Sequence, residues 1–223
     1  MKLHSVNVSL PKEIPHGRKT ISTGIFKEPV AGRVMLRASN IDGDGQADLE
    51  NHGGIDRAAY AYSIENYYHW RQELGRNEFA FGQFGENFTV EGMVENDVHI
   101  GDVFRIGDAL VEVSQPRPPC FKLGIKMGMA GFPKLFLASG RVGFYLRVLE
   151  EGELGAGDVF ELVQSDPEQV SVREMSHLLF FEPENLEGAK QALRVAALSP
   201  GWRDSFEERL SKAGVTDGHD ATS

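Results

Sequence analysis

Cys120 is the only cysteine among 223 residues. It lies in "SQPRPPCFKL" (114–123), behind Arg117, Pro118 and Pro119 and two positions before Lys122. Flanking cations bias a thiol toward thiolate, the form that attacks electrophiles and binds soft metals. Pro116, Pro118 and Pro119 disfavour regular strand or helix. The segment is therefore predicted to leave a strand over 109–115 as a stiff loop, presenting its side chains with little entropic loss on binding. Arg117, Lys122 and Lys126 crowd around the cysteine in a chain of net charge −10, and such a patch favours an anionic ligand. The competing reading is a buried cysteine packed as a small hydrophobe.

Two further segments carry candidate chemistry. In "LENHGGIDRAAYAY" (49–62), His52 stands before Gly53-Gly54 and Asp56-Arg57. The imidazole titrates near neutrality, and paired glycines let backbone N–H groups approach an anion. The competing reading is a tight turn with an exposed histidine. In "FGQFGENFTVEG" (81–92), Gly85-Glu86-Asn87 leads into a strand. Asn87 could hydrogen-bond a heterocycle and Glu86 could hold an arginine, with a solvated turn as the default. Lys27 and Arg147 are read equally as pocket-mouth or surface cations. Tyr60, Tyr145 and the aromatic run 67–70 read as core.

Several chemistries are excluded. The seven histidines and single cysteine show no zinc spacing, and no GxSxG elbow is present. No strand–helix alternation with a Gly-rich phosphate loop appears, nor a flavin, nicotinamide, haem or iron–sulfur motif. A soft metal held by one thiolate, with its other ligands supplied by a cofactor, survives this exclusion. The acidic charge argues against a nucleic-acid polymer as partner. No secretory signal or membrane-length apolar run is seen, so a cytoplasmic protein is expected.

The elements that must position these residues read as mostly β over 1–165. Short β-branched and aromatic runs recur between glycines, and "VFRIGDALVEV" is predicted to form a hairpin turning at Ile106–Ala109. Many short strands suggest a barrel or sandwich. Helices are predicted at 63–74, capped by Ser63, and at 131–140, with Pro133 near the start and Gly140 at the end. Residues 170–213 change to helix-period patterns in three short segments separated by Pro183 and Ser199-Pro200-Gly201. These must pack together, on the β-region or against a second subunit as a homodimer. A disordered tail is expected over 214–223.

The three candidate segments occur in one order with "TGIFKEPVAGRV", "NIDGDGQADLENHGGIDRAAYAY", "IGDVFRIGDALVEVSQPRPPCFKL" and "SGRVGFYLRVLEEG". Together they resemble the MOSC-domain proteins, named after the C-terminal domain of molybdenum cofactor sulfurase, and most closely the bacterial YiiM subgroup. The resemblance covers nearly the whole chain. It implies a compact MOSC-type β-barrel with peripheral helices and a small C-terminal three-helix domain. It also implies a cleft for the molybdenum cofactor, a pterin dithiolene with a phosphate, with Cys120 as metal ligand. Arg57, Arg117 and Lys122 would then hold the phosphate or pterin edge. His52 and Asn87 would position substrate or relay a proton, and Asp56 and Glu86 would orient these groups. The implied activity is reduction of N-hydroxylated bases such as 6-N-hydroxylaminopurine, with electrons from a separate flavoprotein. The chain lacks the separate N-terminal domain that related amidoxime-reducing proteins place before this one. Two other readings use the same thiol: a carrier of sulfur or cofactor through a Cys120 thiolate or persulfide, and a structural domain with an inert cysteine.

Overall fold

A computed structural model describes residues 1–47 and 53–215. The first half contains β1 (Lys2–Val8), β2 (Lys12–His16), β3 (Lys19–Thr23), β4 (Glu28–Pro29), β5 (Arg33–Arg37) and β6 (Asn40–Ile41). A 3-10 turn at Ile55–Arg57 leads into β7 (Ala59–Ser63), α1 (Ile64–Leu74) and β8 (Phe88–Glu91). Next come β9 (Val103–Ile106), β10 (Ala109–Pro116), α2 (Phe121–Met127) and α3 (Phe132–Ala138). The chain then forms β11 (Phe144–Glu150), β12 (Gly152–Gly155) and β13 (Phe160–Gln164), and ends in α4 (Val172–Phe180), α5 (Leu186–Arg194) and α6 (Pro200–Lys212).

Eight strands form one sheet in the order β13-β9-β10-β11-β7-β8-β1-β4. All its pairings are antiparallel except β7 with β8. The ladder does not close into the expected barrel. Its ends meet at a bridge between Lys2 and Val159 and through the bonds Leu3 N–H to Asp158 O (2.9 Å) and Phe160 N–H to Met1 O (3.1 Å). Beyond that point β13 stays with β9, and its residues 161–164 are exposed. The architecture is therefore a sheet-rich fold, with six α-helices among the described residues and an open sheet whose ends touch.

β7 shows how sequence alternation builds the site. Its residues are buried on both faces. Ala59 and Ala61 enter the main core with Leu3, Phe88, Phe104 and Phe144. Tyr60 and Tyr62 enter a second, aromatic core with Tyr67, Trp70, Phe84, Phe132 and Phe136. The period-2 geometry of a strand sends small residues to one side and tyrosines to the other. The main core continues into the C-terminal helices through Met175, Trp202 and Phe206, so sheet and helices share one apolar cluster.

Local signals worked where they were explicit. Ile106 pairs with Ala109 across the predicted hairpin, and Gly107 takes the positive φ (55°) that its turn requires. The Ser63 hydroxyl accepts from Glu65 N–H at the start of α1, and Gly75 closes it in the left-handed region. Helix α3 lies inside the predicted 131–140. In contrast, the loop after β10 is shorter than expected, because α2 begins directly after Cys120. The prolines end at 119, and "FKLGIKM" buries Leu123, Gly124 and Met127 on one face. The hairpin β2–β3 was not predicted; it has few apolar residues and is almost wholly exposed. Tyr68, expected in the core, is 53% exposed. At the C-terminus, Val215 N–H bonds Leu210 O, and residues 216–223 of the expected tail lie outside the described ones.

Candidate active site

One pocket gathers five of the ten sequence candidates. It opens to solvent and is lined by Arg57, Asn87, Arg117, Cys120 and Lys122. Lys27, Asp44, Gln46, Tyr60, Tyr145 and the segment Thr23–Ile25 complete much of the wall. Cys120 comes from the N-terminal end of α2, Arg117 from the end of β10, and Arg57 from the 3-10 turn before β7.

The pocket is cationic although the chain is acidic. Among the described residues, its lining carries Lys27, Arg57, Arg117 and Lys122 and one carboxylate, Asp44. Arg117 is buried, with its guanidinium carbon 5.2 Å from the Tyr60 ring centre and 5.6 Å from that of Phe136. Burial works against its charge, but the Tyr60 and Tyr145 oxygens and Cys120 favour it, and the net effect holds the guanidinium charged. Among the described residues its Nη1 has no hydrogen-bond partner. A buried charged donor left unmatched is costly, so this atom fits an anionic ligand in the pocket. Arg57 packs 6.0 Å from the Tyr145 ring and reaches Gln115 Oε1 at 3.4 Å.

Asp44 and Lys27 form the opposite wall. Lys27 Nζ donates to both Asp44 oxygens at 2.5 Å. Asp44 also accepts from Ser9 N–H (2.8 Å) and Asn87 Nδ2 (2.9 Å). Burial pulls the Lys27 ammonium below the ordinary lysine range, against the pull of Asp44. The wall is packed backbone to backbone: a Cβ on Gly24 would meet Gly45 O at 2.4 Å, and one on Gly45 would meet Pro11 Cδ at 2.6 Å. Only glycine allows these segments to approach so closely.

Several candidates have different roles from those expected. Asn87 lines the pocket, but its Oδ1 accepts from Tyr60 N–H and its Nδ2 donates to Asn7 O and Asp44. It clamps three segments together, leaving little capacity to relay a proton. Glu86 does not reach the pocket. It is fully buried, accepting from Gly82 N–H (2.8 Å), Phe84 N–H (3.0 Å), Thr89 Oγ1 (2.9 Å) and the Tyr67 hydroxyl, and burial raises its pKa. Two of its donors are backbone groups of its own turn and two are hydroxyls from α1 and β8, so it ties the turn to these elements rather than holding an arginine.

Asp56 also turns away from the pocket. It pairs with Arg147, which binds Glu112 and the carbonyl of Ala197 in the connection between α5 and α6. Arg147 is therefore an inter-element clamp, neither a mouth cation nor a bare surface one. Gly53 and Gly54 do not line the pocket; Gly54 (φ 98°) makes the turn into the 3-10 segment, whose Arg57 N–H bonds its carbonyl. His52 lies outside the described residues. Lys126 sits behind the wall, donating to Ile25 O (2.7 Å) and Gly82 O (2.5 Å), and burial lowers its pKa to about 8.

Asp44, Gln46 and Thr23 were missed, and Tyr60 and Tyr145 were assigned to core alone. The dense "GDGQAD" stretch was the available signal for Asp44 and Gln46. No group of three or more metal-ligating residues exists among the described residues. A metal here would take its protein ligand from Cys120 and its remaining ligands from a cofactor.

Comparison with known proteins agrees with this arrangement. A MOSC domain model matches residues 48–161, and a YiiM-like, 3-alpha helix domain model matches residues 170–213. The chain belongs to the MOSC-domain family. It is 42% identical over 208 residues to YflK of Bacillus subtilis (strain 168), covering 93% of this chain and 94% of that protein. The crystal structure of YiiM from Geobacillus stearothermophilus superimposes with a TM-score of 0.79 at 35% identity, covering 94% of this chain and 98% of that one. A Gibberella moniliformis (strain M3125 / FGSC 7600) protein named as a reductase is 35% identical over 147 residues, which are 65% of this chain and 26% of that protein. The MOSC domain takes its name from molybdenum cofactor sulfurase, and the conserved architecture extends through the C-terminal helices of this chain. Among the described residues no helix is long and apolar enough to cross a membrane.

Proposed function

We propose that this MOSC-family chain is a molybdenum-dependent reductase of N-hydroxylated compounds, with 6-N-hydroxylaminopurine as a representative substrate. One observation carries the reading: Cys120 lines the same pocket as the buried, incompletely bonded guanidinium of Arg117. A thiol for a soft metal and a buried cation for a phosphate are the two protein groups that a pterin dithiolene cofactor requires. The fungal relative's name supports reductase chemistry.

When bound, the cofactor supplies the redox centre that delivers two electrons. Cys120 Sγ would be its protein ligand, and Arg117, Arg57 and Lys122 would balance its negative charge. The overall change is R–NH–OH plus two electrons and two protons to R–NH2 and water. Lys27, paired with both oxygens of Asp44, keeps a fixed ion pair on the wall, whereas Asn87 has no acidic proton to give. Tyr60, with its ring centre 5.2 Å from the buried Arg117 guanidinium, helps hold that charge in place. The electrons would come from a separate reduced flavoprotein, and the reaction would take place in the cytoplasm; the C-terminal helices remain a candidate homodimer surface.

The test is anaerobic reduction of 6-N-hydroxylaminopurine by cofactor-loaded protein with reduced methyl viologen, following the amino product. Turnover in the wild type and its loss in Cys120→Ala support the reading. A wild-type rate no higher than the protein-free control sinks it. Sulfur transfer from a Cys120 persulfide without such turnover would favour the carrier reading instead.

A further inference from the structure

Phe121 is the first residue of α2, between Cys120 and Lys122, which both line the pocket. Its ring is 54% exposed, although the neighbouring aromatic core could bury such a residue. Scattered exposed apolar residues are ordinary. Exposed Phe181 also has a histidine ring beside it, and what sets Phe121 apart is its place between two pocket-lining residues, with a hairpin tip reaching to it. The β2–β3 hairpin starts beside the pocket, where Lys12 pairs with Thr23, and turns at Gly17. His16, at its tip, then stands with its ring centre 5.6 Å from that of Phe121, the planes tilted by 39°. The hairpin is almost wholly exposed, so core packing does not account for its reach.

We propose that Phe121, backed by His16, is a stacking platform at the pocket mouth for the planar ring of the substrate. The platform selects N-hydroxylated heteroaromatic bases over small aliphatic N-hydroxyl compounds. This proposal rests on the reductase reading for its substrate, but the ring-binding site can be tested without turnover. Every nucleobase has a π-face, so stacking recognises the class without base-specific hydrogen bonds. The His16 ring lies beside that of Phe121, and Phe121 remains 54% exposed.

The experiment measures binding of adenine, the amino product, by calorimetry, and KM for 6-N-hydroxylaminopurine and N-hydroxyurea in the loaded protein. Phe121→Ala should weaken adenine binding and raise the purine KM by about tenfold or more, the usual scale for lost base stacking. KM for N-hydroxyurea should not move, and Phe121→Trp should restore purine affinity. His16→Ala should give a smaller loss in the same direction. Thermal midpoints of all variants should match the wild type, since both side chains are exposed.

Unchanged adenine affinity in Phe121→Ala overturns the platform. So does an equal loss on N-hydroxyurea, or a wild type that fails to bind adenine at millimolar concentration. A Phe121→Ala defect seen with a protein electron donor alone, adenine binding being intact, also overturns it and assigns the ring to partner docking. If no form turns over any substrate, but adenine binds and Phe121→Ala loses it, the platform stands and the reductase reading falls.

Discussion

The guanidinium of Arg117 lies over the ring of Tyr60, 5.2 Å from its centre, three residues before the thiol of Cys120. This pairing fixes a charge that would otherwise be expensive to bury. The tyrosine face and oxygen favour the cation while leaving Nη1 for a ligand. The anionic side of the pocket chemistry depends on this relationship.

Replacing Arg117 therefore has a specific expected consequence. Arg117→Met should reduce cofactor affinity by about tenfold or more, the scale of one charge-assisted hydrogen bond. Arg117→Lys should not restore it, because an ammonium lacks the planar fork that stacks on Tyr60 and still donates. The measurement is pterin fluorescence retained after exhaustive dialysis of loaded protein. Equal retention in wild type and both variants would remove Arg117 from the ligand set.

The opposite wall should respond as a structural clamp. Asp44→Asn leaves the Lys27 ammonium buried beside a neutral amide and weakens the bond to Asn87. Loss of one partner of a buried pair costs about 3–5 kcal/mol, more than loss of the pair together. Urea unfolding should show that loss for Asp44→Asn, with partial recovery in Asp44→Asn/Lys27→Met. A double variant no more stable than the single would contradict the pairing account.

Lys126 offers a prediction with a defined pH window. Its folded pKa of about 8 lies below the ordinary 10.5. Between these values the unfolded chain binds more protons at this site, so stability rises with pH. Relative to Lys126→Met, the wild type should gain roughly 3 kcal/mol at most between pH 8 and 10.5, and nothing further above that range. Denaturant midpoints of the two proteins across this range give the difference. A wild-type advantage that shrinks over the interval would reverse the sign and refute the burial argument.

What the sequence disclosed follows from how local each interaction is. The turn at Ile106–Ala109 and the Ser63 cap involve neighbouring residues, so their chemistry can be read in order. Cys120, Arg117 and Lys122 share a short proline-stiffened run, and their meeting at one pocket was legible. The family likeness gave the arrangement as a MOSC domain with a three-helix extension. Asp44 was not legible, because its meaning depends on Lys27 and Asn87, which the topology brings from the connections before β4 and β8. Asp56 looked like a pocket residue until Arg147, from β11, was seen to turn it toward Ala197. The expected β-barrel is not confirmed for a similar reason: whether β13 joins β1 along its length depends on how strands far apart in sequence meet, which strand pattern alone does not encode.

The most direct test of the account is molybdenum and pterin content, measured by mass spectrometry and pterin oxidation, after co-expression in a host that overproduces the cofactor. Wild-type protein is compared with Cys120→Ala of equal thermal stability. Near-stoichiometric metal and pterin in the wild type, with metal lost in the variant, is the predicted result. Equal metal retention in both proteins would contradict the assignment of Cys120 as its ligand.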